Sequence, residues 1–139
     1  MFRAALLLVA SAGLAPAADK ELVYAQKTGV LTLDGKEIGK GYAGRGEGLN
    51  NPAKEGTRNV GPVPAGAWVL SKPRTYKTMP NCFDLTPSGH KALGRTEFLI
   101  HGDNKAKNQT ASEGCIILAA DIRKKIADSG VTKLRVVKE

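Results

Sequence analysis

F-L-I-H-G-D-N-K-A-K-N-Q-T-A-S-E-G-C-I-I-L, residues 98–118, is the stretch from which the fold is read. Two short apolar runs bracket a polar segment. Phe98-Leu99-Ile100 precedes His101-Gly102, and Ile116-Ile117-Leu118 follows Gly114-Cys115. Runs this short, bounded by turn formers, read as buried strands rather than helices. Residues 103–113 must then be a loop. Two strand ends joined by a loop can bring an imidazole and a thiol within hydrogen-bond reach, as a cysteine nucleophile and its base require.

The residue types fit that chemistry. A thiol with a pKa near ~8.5 is mostly protonated at neutral pH, and an adjacent imidazole stabilises the thiolate as an ion pair. The imidazole then returns its proton to a leaving amine. On this reading Cys115 is a low-pKa nucleophile and His101 its base. Gly102 marks where the histidine strand stops. Gly114 permits a tight turn that a side chain would obstruct, with the N–H groups of Gly114 and Cys115 aimed at a developing oxyanion. Ser112 fixes the loop or donates a further hydrogen bond. Either Asp103 or a backbone carbonyl holds the imidazole in one tautomer.

Three other readings stand beside the catalytic one. Cys115 is a plain core residue, since free cysteine is among the most buried types. Or it is bridged to Cys82, the only other cysteine, as in an exported protein. Or His101 and Cys115 ligate a metal, although one of each falls short of a zinc set. No metal or cofactor is expected.

The rest of the chain frames the site. Its 139 residues suit one domain, and 16 glycines and 7 prolines with few aromatics suit a turn-rich β fold. Residues 1–17 read as a cleaved secretory signal. A basic start at Arg3 is followed by an apolar run too short for a lasting anchor and by Ala15-Pro16-Ala17, which puts the mature start at Ala18. That predicts an exported, periplasmic domain over residues 18–139 without a stable membrane anchor. Residues 21–26 alternate with Leu22, Tyr24 and Gln26 on one face. Asp34-Gly35 marks a hairpin between residues 30–33 and 36–42.

Residues 44–66 are glycine-rich, contain Pro52, Pro62 and Pro64, and read as an ordered loop walling a groove. A strand begins at Trp68. A basic connection follows through Lys72, Arg74 and Lys77, then a short strand over residues 82–85 and a turn at Pro87-Ser88-Gly89 holding a solvated His90. Ile122 and Ile126 mark a helix over residues 119–129 that Gly130 stops, and residues 134–137 close the domain as a strand. The net charge of +8 is scattered and not interleaved with aromatics, so no nucleic-acid partner is expected. An anionic wall polymer suits that charge better. The oligomeric state is left open.

H-G-D followed by S-E-G-C-I resembles the active-site signature of L,D-transpeptidase (YkuD-like) domains. The likeness is closer to the Tlde1-like (DUF2778) branch, through G-Y-A-G (41–44), N-N-P (50–52), G-P-V-P-A-G (61–66), G-R-T-E-F-L-I-H-G-D (94–103) and S-E-G-C-I-I-L (112–118). The resemblance implies a mainly β, single-domain sandwich or barrel with one C-terminal helix. It implies Cys115 attack on peptidoglycan stem tetrapeptides, as an L,D-carboxypeptidase or transpeptidase. Glu113 and Ile117 stand where the wider pattern has a histidine and an arginine. With that arginine absent, a substrate carboxylate needs another cation, and Arg95 is the first choice, then Lys105 and Arg58.

Overall fold

The computed structural model describes residues 20–139, so the expected signal segment and its cleavage point lie outside the described residues. β1 (Glu21–Ala25) alternates as its sequence does. Leu22 and Tyr24 are fully buried, and Gln26 extends the buried face past the strand end. β2 (Val30–Leu33) and β3 (Lys36–Lys40) meet at Asp34 and Gly35, whose φ values of 51° and 82° are the positive pair that a two-residue hairpin turn demands. β4 (Tyr42–Ala43) follows after Gly41 alone.

Beyond the irregular residues 44–65 come β5 (Gly66–Leu70), β6 (Arg74–Tyr76), β7 (Met79–Ser88) and β8 (Phe98–His101). The chain ends with β9 (Ile116–Ile117), the helix α1 (Ala120–Ser129) and β10 (Lys133–Val137).

All ten strands of the described residues belong to one mixed sheet in the order β3-β2-β1-β10-β5-β7-β8-β9-β4, with β6 hung on β7. The pairs β1/β10 and β8/β9 are parallel. The edge strands β3 and β4 are consecutive in the chain, with only Gly41 between them. The sheet must therefore roll until its two ends lie side by side, although no ladder closes it. Gly41 is needed there, because a Cβ would stand 2.1 Å from the Ile117 carbonyl oxygen. The architecture is thus mainly β with one C-terminal helix, and its barrel-like element is a rolled, open sheet. Trp68, Tyr24, Phe83, Leu31, Ile100, Ile116 and Leu134 fill the interior. α1 contributes Ile122 and Ile126 and ends at Gly130, whose φ of 73° is the left-handed stop read from the sequence.

Three local expectations are corrected. The basic connection contains β6, which pairs with β7 and places Tyr76 opposite Met79. The short strand at residues 82–85 is part of a ten-residue β7 that runs through Pro80 and Pro87. Long-range pairing to β5, β6 and β8 overrides the local breakers there. His90 is not a solvated turn residue. Its Nε2 bonds the Ala67 carbonyl at 2.8 Å, its Nδ1 accepts from the Ala92 N–H at 3.1 Å, and its ring meets Trp68 edge-on at 5.2 Å.

Candidate active site

His101 closes β8 in register with Ile117, and Cys115 stands immediately before β9. The Leu99 N–H, two residues before His101, donates to the Cys115 sulfur at 3.3 Å. One strand thus carries both the imidazole and the amide that holds the thiol, about 6.6 Å apart along the backbone. Both side chains line one groove of about 710 Å³, which Tyr76, Lys77, Arg45 and Glu113 also line. Cys82 is buried, Cys115 is half-buried, and both are free. The disulfide reading is therefore set aside.

The histidine is fixed in one tautomer. Its Nδ1 lies 2.8 Å from the Gly102 carbonyl oxygen. A carbonyl can only accept, so Nδ1 carries the proton and Nε2 is left as the basic nitrogen. Asp103 does not hold the ring. Its Oδ1 accepts from the Tyr42 hydroxyl at 2.7 Å and from the Asn104 N–H at 2.9 Å. Tyr42 also accepts from the Ala111 N–H at 3.2 Å, so it pins both ends of the 103–111 loop. Burial, and after it the hydrogen bond to Asp103, push the phenol up to about 12. Gly102 has a packing reason: a Cβ would meet Arg123 Nη1 at 2.7 Å and Met79 Sδ at 2.8 Å.

The expected thiolate–imidazolium pair is not the resting state. Burial pushes the Cys115 thiol up to about 11; the Leu99 N–H and Arg95 oppose this, while Glu113 and Glu97 reinforce it. Burial also lowers the His101 pKa. The Gly102 carbonyl and Asp103 act against that shift, and the positive charges of Lys77 and Arg123 add to it. A neutral thiol and a neutral imidazole therefore line the same groove, protonation states that suit general-base catalysis, in which proton transfer accompanies attack.

The turn that presents Cys115 is built by Ser112 and Gly114. Ser112 is fully buried; its Oγ accepts from the N–H groups of Gly44 at 2.8 Å and Gly114 at 3.0 Å, and donates to the Cys115 carbonyl at 2.6 Å. The Gly114 N–H is thus spent on the turn, which corrects its expected place in an oxyanion hole. Gly114 itself has a φ of 143°, and a Cβ there would stand 2.8 Å from the Phe98 ring. No other residue fits.

Arg95 is corrected most sharply. It is 6% exposed and gives its guanidinium to four carbonyls: Glu55 at 2.6 Å, Pro62 at 2.9 Å, Gly61 at 3.0 Å and Glu113 at 2.9 Å. With both terminal nitrogens committed, it clamps the 44–66 loop to the Cys115 turn, which leaves it poorly placed to serve a substrate carboxylate. Lys105 is exposed in the 103–111 loop and does not line the groove. Arg58, also exposed, lines a neighbouring cleft of about 280 Å³ with Thr96, Glu97 and Glu113. Sequence reading missed Tyr76, whose ring lies 5.1 Å from the His101 ring at a 42° tilt. Its only local signal was an aromatic residue in a basic segment.

A family model described as the Tlde1 domain matches residues 37–139. The chain belongs to the Tlde1-domain family. No curated protein matches it. The Tlde1 span holds His101, Ser112, Gly114, Cys115, the Arg95 clamp and the whole groove. β1 and β2, which precede that span, complete the sheet on the far side of β10.

Proposed function

We propose that this Tlde1 domain is a peptidoglycan-modifying cysteine enzyme acting on stem tetrapeptides. The observation that carries the reading is a half-buried thiol and a single-tautomer imidazole on neighbouring strands, opening onto one groove. In the proposed reaction His101 Nε2 takes the thiol proton as Sγ bonds to the carbonyl carbon of the third stem residue. The Cys115 N–H, the donor of the turn that Ser112 does not hold, stabilises the oxyanion. Collapse breaks the C–N bond, the amine takes the proton back from Nε2, and D-alanine leaves a thioester on Cys115. Water as acceptor gives an L,D-carboxypeptidase; an amine gives a cross-link or an exchanged D-amino acid.

The Tlde1 family is associated with bacterial effector toxins. That association supports a second context for the same chemistry, trimming a competitor's wall. The secretory signal expected in residues 1–17 favours a resident wall enzyme. Purified muropeptides incubated with the protein should show tetrapeptides shortened to tripeptides, or carrying an added D-amino acid. A Cys115→Ala protein should leave the muropeptide profile untouched. Identical profiles from both proteins with reductant present would reject the reading.

A further inference from the structure

The cations near the thiol differ in what already occupies them. Arg74 makes a two-point contact with Asp84 at 2.8 and 2.9 Å, and Arg45 lies 3.8 Å from Glu113. Arg95 and Arg123 are buried and spend their donors on carbonyls. Lys77 also lines the groove, and among the described residues it has no carboxylate partner. It sits in the turn between β6 and β7 with a φ of 58°, its Nζ 5.4 Å from the Tyr76 ring centroid. Tyr76 thus bridges the ammonium to the His101 ring, 5.1 Å from its own.

The leaving group decides which end of the groove needs a cation. The nitrogen protonated by His101 belongs to the departing amino acid, whose carboxyl carbon lies only about 2.5 Å from that nitrogen. A cation serving this carboxylate belongs on the His101 side. Lys77 is on that side, whereas Arg45 pairs with Glu113 beside Cys115. We infer that Lys77 binds the terminal carboxylate of the leaving amino acid and makes the groove selective for a free peptide C-terminus. This rests on the proposed acyl transfer. The charge of Lys77 is felt at the imidazole, where after burial it is one of the groups that lower the His101 pKa.

The test compares a purified tetrapeptide muropeptide with the same compound carrying a C-terminal carboxamide. Wild-type protein should cleave the free acid with kcat/KM about ten- to a hundredfold above the amide, the usual size of a charge-assisted contact. Lys77→Met should lose that advantage through KM, so that free acid and amide are cleaved at similar kcat/KM, and Lys77→Arg should recover most of it. Lys77 is exposed, so all three proteins should melt together. Unchanged KM in Lys77→Met, with wild-type turnover intact, places the carboxylate elsewhere and leaves the acyl chemistry standing. If wild type releases no D-alanine, the acyl chemistry falls, and calorimetric titration of Cys115→Ala decides Lys77 separately. A Kd about tenfold weaker or more on adding Lys77→Met, and on amidation, supports the subsite. Equal affinities, or no binding of the muropeptide, overturn it.

Discussion

Cys115 and His101 rest neutral, and this sets how the site answers to pH. A thiol held near about 11 should react with iodoacetamide ever faster from pH 7 to pH 10, without the plateau of an ordinary cysteine at ~8.5. Peptide mass spectrometry of the labelled protein reads this, and a plateau below pH 8 would contradict it. The fully buried Cys82 should label more slowly throughout. A base whose pKa lies below the usual 6.5 is already unprotonated at neutral pH. The acid limb of kcat/KM should therefore fall below pH 6.5, with a level region above it. His101→Ala should cost nearly as much activity as Cys115→Ala, because in the proposed reaction base and nucleophile work as one unit. Asp103→Ala should keep most of the activity, since a carbonyl and not this carboxylate orients the ring, and any movement of the acid limb should be towards lower pH, because the carboxylate raises the His101 pKa.

At the scale of elements, the machinery is the clamp that seats the Cys115 turn against the 44–66 loop. Ser112→Ala strips the acceptor from two buried N–H groups, which should lower unfolding free energy by about 2–4 kcal/mol in urea titration. Arg95→Met should cost on the order of 3 kcal/mol or more, because several carbonyls lose their only cationic donor. Muropeptide cleavage should fall with either change. An Arg95→Met protein of wild-type stability would contradict the clamp.

The clamp also shows what the sequence could and could not reveal. Periodicity and turn chemistry are local, so β1, the Asp34-Gly35 hairpin, α1 and the two strands flanking residues 103–113 were legible. So were His101 and Cys115, each at a strand end. Arg95 was misread because its partners lie 18 to 40 residues away in the chain, and nothing local distinguishes a clamp from a substrate cation. β6 was missed for the same reason: Arg74-Thr75-Tyr76 is a strand only because β7 pairs with it. The thiol's pKa depends on burial, which spacing does not report.

For the whole molecule, the rolled sheet makes the last strand indispensable. β10 lies between β1 and β5 and buries Leu134 and Val136, so among the described residues the β1–β3 unit pairs with the rest of the sheet only through it. A chain ending before Lys133 should show no cooperative thermal transition by circular dichroism. A folded truncation would mean that the β1–β3 unit is dispensable. The same rolling brings β4 beside β9 and sets Tyr42 and Gly44 against the loop and turn that frame Cys115, so fold and site stand together. The central claim, that Cys115 forms an acyl-enzyme with His101 as its base, is tested most directly by intact-mass measurement of the protein during reaction with tetrapeptide muropeptide. The account predicts a transient adduct of the tripeptide acyl mass on Cys115, with one D-alanine released per tripeptide and neither seen in Cys115→Ala. D-alanine release that continues in Cys115→Ala, or wild-type protein that forms no adduct and releases none, would contradict it.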